Sequence, residues 1–169
     1  VKDVSDALDT ALLKGAGTTN SIKGLTAQSG VTTGALDVTD PDSLLDAIAA
    51  LNAQEIIPNR WFISGADFAS LRKLKESASS ARYLLEPDPS KQSGTTLFGI
   101  PVTITNKLSA GKAILADMST VAIARDTSPS VTVLNERYAE FDEVGLRVTT
   151  RYDLGLLHPK AVAVLTATP

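Results

Sequence analysis

Residues 144–154 alternate without a break, with Leu146, Val148, Thr150, Tyr152 and Leu154 on one side and Arg147, Thr149, Arg151 and Asp153 on the other. Side chains of an extended chain point to opposite faces in turn, so this run predicts a long strand with one face wet. Residues 161–165 read as a final, buried strand. Shorter strands are expected at 100–105, 113–116, 120–124 and 131–134, after a loop marked by Pro87, Asp88, Pro89, Ser90 and Gly94.

Helical spacing governs the other half. Val1, Val4, Leu8 and Leu12, with Ala7 and Ala11 beside them, form a stripe, while Lys2, Asp3, Asp6 and Asp9 fall between. The pattern reads as the end of a helix stopped by Gly15 and Gly17. Because the chain opens at Val1 inside this pattern, a fragment or processed product is expected. Residues 18–39 carry no sustained period and read as a polar connection. Asp40-Pro41 opens a second helix, with Leu44, Leu45, Ile48 and Leu51 as its buried stripe. Trp61-Phe62-Ile63 reads as a buried strand, Ser64 as a cap, and Phe68, Leu71 and Leu74 as the inner side of a third helix. Arg72, Lys73 and Lys75, balanced by Glu76, take the spacing of that helix's solvated side.

The chemistry available is narrow. The glycine-rich stretch "KGAGTTNSIKG" suggests a phosphate loop, but Lys23 precedes Gly24, no hydroxyl residue follows, and a helix stands where a strand is required. It reads as a helix stop and turn. The chain has no cysteine, which removes disulfides, thiolate metal sites and cysteine nucleophiles. His158 is the single histidine, so no multi-histidine metal site forms; beside Pro159 it reads as structural. Ser64-Gly65 lacks the surroundings of a nucleophile turn. Glu136, Glu140, Asp142, Glu143 and Asp153 are available for acid–base work or a hard cation, yet fit no calcium-loop spacing and read as solvated acids. With a net charge of -3 and scattered cations, an electrostatic grip on nucleic acid is not expected. Trp61, Phe62 and Phe68 read as core rather than base-stacking platforms. No apolar run approaches the roughly 20 residues of a membrane helix.

Several blocks, taken in order, resemble the C-terminal part of tailed-bacteriophage major capsid proteins with the Hong Kong 97-like fold. They are "ALLKGAGTTNSIKGL", then "PNRWFISGADFASLRKLKESASSARYLL" through Asn59, Trp61, Leu71, Leu74, Lys75, Arg82 and Tyr83, and then "LFGIPVTITNKLSAGKAILADMS" through Leu97, Gly99, Pro101, Val102, Gly111, Asp117 and Met118. The acidic turn and long strand follow, and "LHPKAVAVL" closes the series, with His158 where the family has arginine. The resemblance implies an α+β fold with an axial α/β domain over 18–126 and 158–169. A partial peripheral domain, a helix end and long strands, takes 1–17 and 127–157. The glycine-rich loop becomes the hinge between them. The family's N-terminal arm and extended loop are not found in these residues. Val144 stands where some members carry a cross-linking asparagine and Arg151 where they carry the promoting glutamate, so no cross-link is expected at these positions.

The implied function is that of a structural subunit, without catalytic, cofactor or metal site, that associates with copies of itself as pentamers and hexamers around a DNA genome. Scaffold, maturation protease, portal and decoration proteins are implied partners, and the virion and the bacterial host cytoplasm during assembly are the implied locations. An acidic subunit suits a shell that must release its DNA. An encapsulin-like nanocompartment shell is the related alternative, and a small hydrolase using His158 the alternative of another class. His158→Ala separates the last: the shell reading expects unchanged folding and association, whereas loss of a measurable hydrolysis with the fold intact would favour an enzyme.

Overall fold

The structure, a computed structural model, describes residues 2–19, 21–77, 80, 82–85, 96–134, 139–141 and 144–167. Its elements are helices α1 (Lys2–Lys14), α2 (Asp42–Asn52) and α3 (Gly65–Arg72), and strands β1 (Thr32–Leu36), β2 (Arg60–Ile63), β3 (Thr96–Leu97), β4 (Ile100–Ile104), β5 (Lys112–Ala116), β6 (Val121–Leu134), β7 (Gly145–Leu156) and β8 (Val162–Ala167). Six strands form one mixed sheet in the order β1-β8-β5-β2-β4-β3, while β6 and β7 form a separate antiparallel pair.

The sheet is organised around β5. Four of its five residues, Ala113, Ile114, Leu115 and Ala116, are fully buried, and β5 pairs antiparallel with β8 on one side and β2 on the other. Alternation sends Ala113 and Leu115 to one face and Ile114 and Ala116 to the other, so both faces need a cover. On the first face, Leu44, Ala47 and Leu51 of α2 and Phe68 and Leu71 of α3 join Trp61, Ile63, Ala163 and Leu165. On the second, Leu13 of α1, Leu25, Leu108 and Leu154 join Val162 and Val164, with Phe62, Val121 and Leu156 packed against them. Two cores therefore share one strand.

Local chemistry places the elements. Ser64 Oγ accepts from Asp67 N at 3.1 Å and donates to Asp67 Oδ2 at 2.8 Å, capping α3 as its position after a strand predicts. The same Asp67 Oδ2 accepts from Gly111 N at 2.8 Å, tying the β4–β5 turn to the helix start. Asn59 Nδ2 donates to Asp117 Oδ1 at 2.8 Å and Asn59 Oδ1 accepts from Met118 N at 3.0 Å, fastening the entry of β2 to the exit of β5. At the entry of α2, the Thr39 hydroxyl and N–H both donate to Asp37 and hold its carboxyl below the ordinary carboxylate value. Since the native value is the lowered one, the contribution to stability is present at neutral pH and lost as pH falls through it.

Several expectations need correction. The connection at 18–39 contains β1, parallel to β8, and a 3-10 turn at Leu25–Ala27. As an edge strand, β1 buries only Leu36, so no alternation announces it. Leu45 is exposed, and Ala47 takes its place in the stripe of α2. The third helix ends at Arg72, so Leu74 packs from beyond it and Lys75 is not on its solvated side. Lys75 Nζ instead lies 3.4 Å from the Tyr83 ring centre, and Glu76 pairs with Arg82 at 3.4 Å. The separate strands expected at 120–124 and 131–134 are one, β6. The expected loop at Pro87–Gly94 lies outside the described residues.

Hydrogen bonds draw the glycine-rich stretch into a clasp. Gly24 N donates to Gly15 O at 2.9 Å, Gly17 N to Ile22 O at 3.2 Å, and Gly15 N back to Ala11 O at 2.9 Å. A Cβ at Gly24 would run into Gly15 N and stand 2.8 Å from Ala11 O, so only glycine permits this approach. Gly24→Ala is therefore expected to cost at least the roughly 1–3 kcal/mol of an overpacked core in urea unfolding. Gly155→Ala, where no atom stands within 4 Å of the added carbon, should stay within about 0.5 kcal/mol. Equal effects would contradict the clasp.

Candidate assembly surface

The β6–β7 hairpin carries the surface with most to explain. Paired residues of an antiparallel ladder point to the same side. The pairs Val121 with Leu156, Ile123 with Leu154, Arg125 with Tyr152, Val131 with Val148 and Val133 with Leu146 therefore line one face. Ala122 with Gly155, Ala124 with Asp153 and Thr132 with Arg147 line the other. The alternation in the sequence is thus a property of the whole hairpin.

Cover thins from root to tip, with Ile123, opposite Leu154, already 52% exposed. At the root, Leu154 is 7% exposed and Val121 and Leu156 pack against the second core. Toward the tip, Val131 is 66%, Leu146 69%, Val133 52% and Val148 48% exposed, although they continue the same face. Four large aliphatic side chains on one side of a two-stranded ribbon amount to several kcal/mol of unrealised burial, at about 25 cal/mol per Å². An isolated pair of strands is marginal in water, and both outer edges of this one are unpaired within the described sheets. Such a face is built to be covered by something else.

Beside it, α1 and β7 bound an open groove of about 640 Å³ lined by Val4, Leu8, Ala11, Ile22 and Tyr152, with Asp3 and Arg151 also on its wall. A smaller cavity of about 260 Å³ lies deeper, among Leu13, Leu25, Phe62, Met118, Ile123 and Leu154. The ion pair from Lys107 to Asp6, 3.3 Å, fixes α1 to the sheet's turn on that side.

The residues weighed for chemistry are scattered. His158 is exposed at the start of a 3-10 turn, its carbonyl accepting from Ala161 N at 3.0 Å. The Ser64 hydroxyl is buried against Asp67, so its partner is an acid and the pair is a cap. Glu140 and Asp153 are exposed, while Glu136, Asp142 and Glu143 lie outside the described residues. Among the described residues no group of three or more histidines and acids stands close enough to hold a metal, and no helix is long and apolar enough to cross a membrane. Val144 is exposed, and Arg151 pairs with Asp126 at 3.5 Å. The exposed outer face of the hairpin was not singled out from sequence; its signal was an alternation longer than a body of this size can cover.

Comparison with known proteins bears on the fold and the family. No curated protein sequence matches the chain significantly. Among solved structures, the chain is similar to the capsid of an empty GTA particle, with a TM-score of 0.78 and 17% identity over 99% of this chain and 63% of that one. It is also similar to a chain of Gordonia phage Cozz, with a TM-score of 0.77 and 16% identity over 98% of this chain and 60% of that one. A virus-like particle from Pyrococcus furiosus gives a TM-score of 0.68 and 16% identity over 97% and 64%. The chain thus spans a little over three fifths of those chains, and at such identities the likeness speaks to the fold, the Hong Kong 97-like arrangement that the sequence blocks resemble. The sequence model of the phage capsid family matches residues 1–167. With sequence pattern, fold and family model in agreement over the whole chain, the chain belongs to the phage capsid family, a structural family whose work is building a shell and not catalysis.

Proposed function

We propose that the chain is a subunit of an icosahedral phage or prophage capsid that associates with copies of itself into pentamers and hexamers around a DNA genome. The observation that carries this reading is the outer hairpin face, where Val131, Val133, Leu146 and Val148 continue a core face into solvent. In this reading the six-stranded sheet with α2 and α3 serves as the axial domain, near 18–126 and 158–169, and packs around the rotation axes. Helix α1 and the hairpin, near 1–17 and 127–157, serve as a partial peripheral domain whose outer face meets a neighbouring copy. Contacts of this heterologous kind close into rings, and rings of two sizes build a closed shell. Assembly would take place in the bacterial host cytoplasm, with scaffold, maturation protease, portal and decoration proteins as the further partners of such a shell. The nanocompartment alternative has no observation that favours it over the phage capsid.

Light scattering over a concentration series, with negative-stain imaging of any large species, tests the reading. Species of five or six copies, or shells, are expected, and enclosed nucleic acid rather than enclosed protein would distinguish the phage capsid from the nanocompartment. A strict monomer at every concentration, even when the chain is joined to the additional residues that its longer relatives possess, would overturn it. Replacing the exposed pair, Val131→Thr with Leu146→Thr, should change monomer stability by no more than about 0.5 kcal/mol while weakening association. Leu154→Ala on the same face, at the root, should instead cost about 2–5 kcal/mol of monomer stability. Similar stability losses at root and tip would contradict the division of the face.

A further inference from the structure

We propose that the two register irregularities in β6 act as a matched pair: together they keep the apolar face on one side from root to tip, and the segment between them is the joint at which the outer half turns. For its purpose this inference rests on the hairpin's outer face being a contact between copies; its geometry does not.

The register carries the first part. Arg125 faces Tyr152, Thr127 faces Arg151, and Ser130 faces Thr149. From the first pair to the second, β6 advances two residues while β7 advances one; from the second to the third, β6 advances three and β7 two. Each step inserts a single extra residue. One inserted residue sends every later side chain of a strand to the opposite face. The first irregularity alone would therefore turn Val131 and Val133 to the polar side, away from Val148 and Leu146. The second reverses the first, and Val131 and Val133 rejoin the face of Val121 and Ile123.

The second part follows from what fills the interval. Bulges bend a strand and increase its twist. Pro129, inside the second irregularity, has no N–H to give to a ladder. The ion pair between Arg151 and Asp126, 3.5 Å long with the two side chains 71% and 70% exposed, holds the segment only weakly. At the other candidate hinge, the backs of Gly15 and Gly24 leave no room even for a methyl group. Bending therefore concentrates at 126–130. A shell subunit needs such a joint, because flat and bent rings present a neighbour at different inclinations while the root of the hairpin stays packed in the second core.

Hydrogen exchange on the unassembled full chain, read by mass spectrometry, tests both parts. In the unaltered protein, amides at 126–130 are expected to exchange faster than those at 121–125 and at 131–134. Deletion of Ser128 removes one extra residue and leaves Val131 opposite Val148, so a single irregularity remains and fast exchange should narrow to 126–127, while 131–134 and 145–149 keep their protection. Deletion of both Asp126 and Ser128 removes the pair with Val131 still opposite Val148, and should extend the protection of the flanking strand across the interval. Uniform protection across 121–134 in the unaltered protein, or an interval that exchanges as fast in the double deletion as in the unaltered protein, would overturn the proposal. Should both deletions unfold the sheet, the profile of the unaltered protein decides. Assembly plays no part in these readings, so failure of the chain to associate would tell against the proposed function and leave this result standing.

Discussion

The burial of β5 on both faces is the constraint from which the rest of this structure follows. After Lys112 at its start, the strand reads Ala113-Ile114-Leu115-Ala116 with no polar residue to turn outward, and so requires a layer on each side. Helices α2 and α3 supply one layer. The other is assembled from parts distant in sequence: the end of α1, the turn at Leu25 and the root of the β6–β7 hairpin. That second layer is why a ribbon of two long strands is attached to a six-stranded body at all. The hairpin is anchored because its root is core.

The same attachment explains why the outer half is uncovered. A face that begins as core continues as apolar sequence well past the edge of the body, and among the described residues no third layer lies over it. For a monomeric protein such a surface is a liability; in the proposed shell subunit it is the contact with a neighbouring copy. The clasp between Gly15 and Gly24 fits the same scheme, since it fixes α1 against the second core and leaves the outer hairpin as the part free to adjust.

Sequence disclosed the parts of the fold that repeat a simple period. The alternation of Leu146 through Leu154 identified β7, the run from Trp61 into Ser64 identified β2, its cap and α3, and the apolar 161–165 identified β8. Strand β1 was hidden because an edge strand with one buried residue has no pattern to show, and β6 was split in two because its inserted residues break the period at Arg125–Ser130. The candidate surface was legible only in part. Alternation gives the apolar side of the hairpin, but whether that side is covered depends on where the body ends, which is a fact of three dimensions. The ordered blocks from Asn59 to Met118 proved informative for a physical reason: Asn59, Asp117 and Met118 fasten β2 to β5, and Lys75 with Tyr83 closes the turn beyond α3.

The central claim is that a neighbouring copy covers the outer hairpin face, and the absence of cysteine makes it directly measurable. A single Val148→Cys substitution can be labelled with a maleimide in the dissociated chain and again in assembled particles, with Thr132→Cys on the opposite face as the comparison. The account predicts that assembly protects position 148 much more than position 132. Equal labelling of position 148 in both states, in particles shown to be intact, would contradict it.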